Sequence, residues 1–262
     1  MIPLKSKAEI EVMELNGGIL STVLEGVKRL AKPGVSTQEL DRFAEDAIRQ
    51  AGAVPAFKGY RGYQATLCTS INDEVVHGIP SKKRVLADGD ILSVDIGLKK
   101  DGLFSDMAVT IPIGTVSDEI LAFLRVSAES LEKAIEKAWP GNRLGDISHA
   151  VQSHVEGHGF SVVRDYVGHG IGYGLHEEPV VANFGKAGTG PRLQAGMVLA
   201  IEPMVNMGGY EVRSLKDGWT VVTVDGSLSA HFEHSVAVTE SGPRVLTHHH
   251  PGPGKKGEAA TA

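Results

Sequence analysis

Cysteine is nearly absent: Cys68 is the only one in 262 residues. No internal disulfide can form, and a reducing compartment fits that. The chain also lacks a long apolar run, since no stretch approaches the ~20 residues a membrane-spanning helix needs. The opening Met1-Ile2-Pro3-Leu4-Lys5-Ser6-Lys7 has no apolar segment of the kind that marks a secretion signal. Positive charge is not in excess either. Lys and Arg number 26 against 32 Asp and Glu, a formal net charge of -6, which argues against a nucleic-acid partner held mainly by phosphate contacts. The expectation from these absences is a cytoplasmic globular protein with no membrane and no specific nucleic-acid partner. Its 42% hydrophobic residues suffice for one large domain or two small ones.

Four helices are legible. Ser6 and Glu9 have capping-box spacing, and Ile10, Met13, Gly17, Leu20, Leu24 and Val27 then step by three and four along one face until Pro33-Gly34. Ser36 and Glu39 repeat the capping box and open a second helix with an inner face of Leu40, Phe43, Ala44, Ala47 and Ile48, ended by Gly52. A third runs roughly from Ser117 to Ala138 and stops at Trp139-Pro140-Gly141. The fourth turns Ile147, Ala150, Val151, His154 and Val155 inward and ends at Gly159.

The second and fourth helices are related by one offset. Pro33 and Pro140 are 107 residues apart, as are Gly34 and Gly141, Leu40 and Ile147, and Gly52 and Gly159. The same step carries Gly89 onto Gly196, and the apolar strand beginning at Ile91 onto the one beginning at Val198. This is the signature of a duplicated unit of two helices followed by strands. Two copies are too few for an open array, so an α+β domain with internal pseudo-twofold symmetry is expected over 1–246. The remaining 247–262, with His248 to His250 followed by Pro-Gly-Pro-Gly-Lys-Lys, has nothing to form a core and reads as a flexible C-terminal tail.

The chemistry begins at Asp95, a carboxylate inside the apolar strand Ile91-Leu92-Ser93-Val94-Asp95-Ile96. Such a group is costly unless it is paired or bound to a metal. Asp101-Gly102 reads as a two-residue hairpin turn, which sets Asp95 opposite Ala108 and puts Asp106 on the same face, one diagonal away at ~7–8 Å. The 107-residue step carries Asp95 onto Glu202, so both halves place an acid at the equivalent end of an apolar strand. Glu233 lies in a C-terminal strand, sharing a face with His231 and Ala237, while Phe232, Val236 and Val238 face the other way. Three histidines sit beside glycines in expected loops: His77-Gly78, Gly168-His169-Gly170, and Gly174-Leu175-His176. Glycine permits close backbone approach to a ligand. Acids converging from both halves alongside such histidines point to a metal site. Oxygen-rich donor sets with a histidine suit ions such as manganese, cobalt or iron, and four acids match two ions ~3.5–4 Å apart better than one.

Taken together, Asp95, Asp106, His169, Glu202 and Glu233 resemble the five-ligand site of the pita-bread metallopeptidases. More closely, the sequence resembles the bacterial type I methionine aminopeptidases. The resemblance runs from about Lys5 to Leu246. Its specific stretches are Ser70-Ile71-Asn72-Asp73-Glu74-Val75-Val76-His77-Gly78-Ile79-Pro80, Gly168-His169-Gly170-Ile171-Gly172 with His176-Glu177-Glu178-Pro179, and Lys216-Asp217-Gly218-Trp219-Thr220. It implies a pita-bread fold, in which the duplicated units surround a curved, mainly antiparallel sheet. It also implies a cofactor of two divalent ions (cobalt, manganese, iron, zinc or nickel) and removal of the initiator methionine from nascent proteins. Asp95 would hold one ion, Asp106 and Glu233 would bridge both, and His169 and Glu202 would bind the second. Glu202 would also be the general base, His176 would steady the scissile carbonyl, and His77 would contact the substrate backbone. Tyr60, Tyr63, Cys68, Leu175 and Trp219 would form the methionine pocket. The implied partners are peptides with a small second residue, and the ribosome with its nascent chain; a monomer is expected.

Three positions depart from the family pattern. Arg61 stands where many relatives have a histidine, Leu175 where some have phenylalanine, and His231 where an amide is common. The nearest alternative is a pita-bread peptidase that cleaves next to proline. Those enzymes usually carry an additional N-terminal domain, for which a first helix starting near residue 6 leaves no room. A pita-bread protein that only binds partners or RNA is disfavoured by the complete ligand set and the negative charge.

Overall fold

The computed structural model describes residues 2–248. Helix α1 spans Lys7–Leu30 and α2 Thr37–Gln50, and each begins with the expected capping box. Glu9 Oε2 accepts the Ser6 N–H at 2.7 Å, and Glu39 Oε2 accepts the Ser36 N–H at 2.8 Å. Helix α3 covers Asp118–Ile135, so the α-helix proper ends before the expected Ala138. Helix α4 covers Leu144–Gly157 and starts on an Arg143–Asp146 version of the box. The expected stripes point inward, but Phe43 and Ala47 on α2 and Ala150 and His154 on α4 are only partly buried, and His154 Nε2 lies 3.2 Å from Glu129 Oε2.

The central sheet is antiparallel and follows the order Val54–Pro55, Ile91–Lys100, Leu103–Pro112, Glu233–Thr239, Val198–Ile201, Gly168–Gly170, Glu177–Val181. Leu67–Ile71 is added beside Ile91–Lys100, and Gly242–Val245 beside Glu233–Thr239. The long hairpin has the register read from its turn, with Lys100 facing Leu103 and Asp95 facing Ala108. Asp101 (φ 51°) and Gly102 (φ 83°) both adopt positive φ, as a tight two-residue hairpin turn requires.

The pseudo-twofold relation holds at backbone level. The 107-residue step carries both ends of α2 onto both ends of α4. It also carries the bridge Ser36↔Val85 onto Arg143↔Arg192, and the pair Pro55↔Leu98 onto Val162↔Val205. The bond from Gly34 N–H to Leu86 O (2.8 Å) has its counterpart from Gly141 N–H to Leu193 O (3.0 Å). Each half has its own apolar core. One gathers Leu20, Leu24, Leu40, Ile48 and Ile96; the other gathers Phe123, Ile147, Val151, Leu199 and Val236. This is the pita-bread architecture, and the sheet surface between the two halves carries the polar cluster described below.

Three sequence expectations need correction. The C-terminal strand is two strands, Ser229–His231 and Glu233–Thr239. The pairs Met204↔His231 and Ile201↔His234 set Pro203 opposite Phe232, and proline has no N–H to contribute to the ladder. His169 is in a short strand, Gly168–Gly170, not a loop. Lastly, a body ending at 246 is too short. Thr247 is fully buried, with His234 Nδ1 2.8 Å from its Oγ1, and His248 is described beside it. Of the expected tail, 249–262 lies outside the described residues.

Candidate metal centre

The sheet register explains why the acids converge. Ala108 faces Asp95 on one side and Glu233 on the other, so those two carboxylates flank a methyl group that leaves space between them. Asp106, two residues back from Ala108, projects to the same face. Its backbone N–H donates to Ser235 Oγ at 3.1 Å, and Ser235 Oγ donates to its carbonyl at 2.8 Å. From the other half, His169 pairs with Ala200, and Glu202 follows two residues later on that same face. The backbone of Glu202 is tied by Asn183 Nδ2 to its carbonyl at 3.0 Å.

Asp95, Asp106, His169, Glu202 and Glu233 therefore line one cavity of about 180 Å³. His169 Nε2 lies 3.4 Å from Glu202 Oε1. Donor atoms of Asp106, His169 and Glu233 all fall within 4.8 Å of one another, as do those of Glu202, His231 and Glu233. His169 Nδ1 is 2.9 Å from Gly170 O. An N–H at Nδ1 donates there and leaves the Nε2 lone pair free for a cation, the usual arrangement of a metal-binding imidazole.

The residues fit a metal centre on energetic grounds. Asp95 Oδ1, Asp106 Oδ1 and Glu233 Oε1 are buried with no hydrogen-bond partner. Unpartnered buried carboxylate oxygens are costly without a cation. Burial pushes the Asp95 carboxyl up to about 7, with His231 opposing the rise and Glu202 adding to it. Burial likewise raises Asp106, Glu202 and Glu233 well above the usual carboxylate range. Bound divalent cations would reverse this by stabilising the ionised forms.

The glycines around His169 have a different cause from the one expected. A Cβ at Gly168 would collide with the carbonyl of Ala200, and one at Gly170 with that of Glu178. Glycine is needed there for close strand packing, not for approach of a ligand.

The apolar side of the cavity holds all five expected pocket residues: Tyr60, Tyr63, Cys68, Leu175 and Trp219. Tyr63 donates its hydroxyl to Leu67 O at 2.9 Å and packs edge-on against Trp219 with ring centres 5.0 Å apart. Burial pushes the Cys68 thiol up, and neighbouring Asp95 adds to the effect. His176 stands at the mouth, stacked on Tyr60 with its Nδ1 3.0 Å from the Tyr60 hydroxyl. Its protonation is disfavoured by burial and then by the Arg61 guanidinium. His77 lies against Tyr166 and Trp219 and is held neutral, its pKa lowered to about 4 by burial and then by His231 and His176.

Phe57, Tyr166 and Met204 also line the cavity, and sequence reading gave no sign of them because they lie on separate segments with no motif. His231 was read as sharing a face with Glu233 and as a departure from the family pattern, but not as a site residue. Its place two residues before Glu233 on a common face was the available signal.

The sequence profile of metallopeptidase family M24 matches residues 11–240. A methionine aminopeptidase of Clostridium acetobutylicum is 54% identical over 247 residues, covering 94% of this chain and 99% of the relative. The crystal structure of a methionine aminopeptidase from Thermotoga maritima superposes with a TM-score of 0.93 at 47% identity, covering 94% and 99% of the two chains. A prolidase from Pyrococcus horikoshii shares the fold at 22% identity and a TM-score of 0.76, with this chain spanning 64% of it. By the profile, the near-complete coverage and the shared architecture, the chain belongs to metallopeptidase family M24.

Proposed function

We propose that this chain is a methionine aminopeptidase that releases the initiator methionine from peptides with a small second residue. The observation that carries the reading is a cluster of carboxylates, three of which (Asp95, Asp106 and Glu233) each have a buried oxygen without a hydrogen-bond partner, abutting an apolar, aromatic cavity. The high identity to methionine aminopeptidases over nearly the whole chain supports the same conclusion. Two divalent ions would be held by Asp95, Asp106, His169, Glu202 and Glu233; the donor set accepts cobalt, manganese, iron, zinc or nickel. When bound, such ions lower the pKa of water and polarise the scissile carbonyl.

The protein's own groups do the rest. Tyr60, Tyr63, Cys68, Leu175 and Trp219 receive the methionine side chain, whose thioether packs well on aromatic faces. Glu202 takes a proton from the attacking water and returns it to the leaving amine. The Tyr60 hydroxyl donates to His176 Nδ1, which leaves an N–H at Nε2 to donate to the developing oxyanion. Such a donor is worth ~3–4 kcal/mol in a dry site. His77 contacts the substrate backbone.

A monomeric state, a cytoplasmic setting and work on nascent chains at the ribosome complete the proposal. Among the described residues no helix is long and apolar enough to cross a membrane. The test is methionine release from Met-Gly and Met-Ala peptides by metal-stripped protein resupplied with cobalt or manganese. Release from both supports the reading. Cleavage of proline-containing dipeptides with no methionine release overturns it.

A further inference from the structure

We propose that His231 is an additional metal ligand, beside Glu202 and Glu233. This rests on reading the carboxylate ring as a metal centre, and goes beyond the five residues that the family resemblance assigns.

His231 is held with little freedom. It is 2% exposed. Thr110 Oγ1 both donates to its carbonyl at 2.9 Å and accepts its N–H at 2.8 Å. On the face it shares with Glu233, its Nε2 is buried without a hydrogen-bond partner. That nitrogen lies 3.6 Å from Glu202 Oε2 and 4.0 Å from Glu233 Oε2. Both separations are too long for hydrogen bonds. They match the ~3–4 Å edges of a coordination shell whose metal–ligand bonds are ~2.1 Å.

The potential donors divide into two sets that meet at Glu233. One is Asp106, His169 and Glu233; the other is Glu202, His231 and Glu233. Each set has a single histidine, and Glu233 is the shared carboxylate expected of a bridge. Without His231 the second set would be Glu202 and Glu233 alone, although Glu202 Oε1 also lies 3.4 Å from His169 Nε2. With His231 it gains a borderline-soft donor. Nitrogen ligation favours cobalt, nickel and zinc over manganese, so His231 biases this site toward the former.

The experiment is a crystal structure of the metal-stripped protein reloaded with cobalt, located by anomalous scattering, together with calorimetric titrations of wild type and His231→Gln. An amide is common at this position in the family, so the variant preserves shape, and circular dichroism checks its fold. The expected result is a cobalt ion ~2.0–2.3 Å from His231 Nε2. In His231→Gln, one cobalt site should weaken by at least the ~10-fold seen when an outer-shell partner is lost, with manganese affinity changing less. Ions bound by the carboxylates and His169, with His231 Nε2 beyond ~3 Å or donating to Glu202, would overturn the assignment of His231 alone. Absence of any bound cobalt would overturn both this assignment and the metal-centre reading.

Discussion

At the scale of single residues, Glu202 and His176 carry the sharpest consequences. Glu202 reaches His169 Nε2 and lies near His231 Nε2, so it touches both ends of the cluster. Replacing it with glutamine preserves the shape and removes the base. Glu202→Gln is expected to keep the thermal transition but lose ~10²–10⁴-fold in kcat, the range for removal of a positioned base. Near-wild-type turnover in a peptide-release assay would reject Glu202 as the base. For His176, burial and then the Arg61 guanidinium disfavour the protonated ring, so its acid limb lies below the ordinary histidine value. Removing a cation beside an imidazole makes protonation easier. Arg61→Gln should therefore shift the acid limb of kcat/KM to higher pH, by an amount that shrinks with added salt because Arg61 is exposed. A limb that stays in place at low salt would mean that His176 protonation does not govern it.

At the scale of elements, legibility tracked how local the cause was. The helices were readable because capping and periodicity are local signals. The hairpin register was readable because the Asp101-Gly102 turn fixes it, and that register alone set Asp95 and Asp106 on one face. The strand break at Phe232 was missed because its cause, Pro203, sits in a distant segment, between the strands Val198–Ile201 and Met204–Asn206. Burial of Thr247 was missed because a composition-based boundary ignores one hydroxyl beside His234 and Ser235.

The same holds for a contact that no spacing announces. Lys5, just before α1, is ion-paired with Glu177, and the two side chains are 1% and 9% exposed. Glu177 Oε1 also accepts the Gly174 N–H at 2.7 Å, and Tyr173 reaches Glu9 with its hydroxyl at 2.8 Å. The N-terminal segment thus straps down the loop that carries Leu175 and His176. Breaking a buried pair from one side costs ~3–5 kcal/mol, because a buried charge is left alone. Lys5→Met should lower the thermal midpoint, at ~2–4 °C per kcal/mol for a chain of this size. The double variant Lys5→Met with Glu177→Gln should recover part of the loss. Calorimetry of the three proteins checks this, and strictly additive losses would show that the pair is not coupled.

At the scale of the whole molecule, the duplication is what creates the site. Two similar halves, each with its own apolar core, set Asp95 and Glu202 at equivalent strand ends across a shared sheet. The acids that converge there oppose folding when no cation is present. Their folded-state pKa values are raised, Asp95 from an ordinary 3.8 to about 7, so the folded protein binds more protons than the unfolded chain between those values. Stability then falls as pH rises through that window, the reverse of a salt-bridged carboxylate. Buried histidines such as His77, lowered from 6.5 to about 4, act in the opposite sense below pH 6.5, so the carboxylate effect is read above it: metal-stripped protein should melt at a lower temperature at pH 8.5 than at pH 7. Divalent cations bind the ionised acids of the folded state and should restore stability most strongly at the higher pH. Thermal midpoints measured across pH, with and without cobalt or manganese, give the comparison. A stripped protein whose midpoint rises steadily from pH 7 to 8.5 would mean that the four carboxylates are already compensated without metal, and the centre would lose its energetic basis.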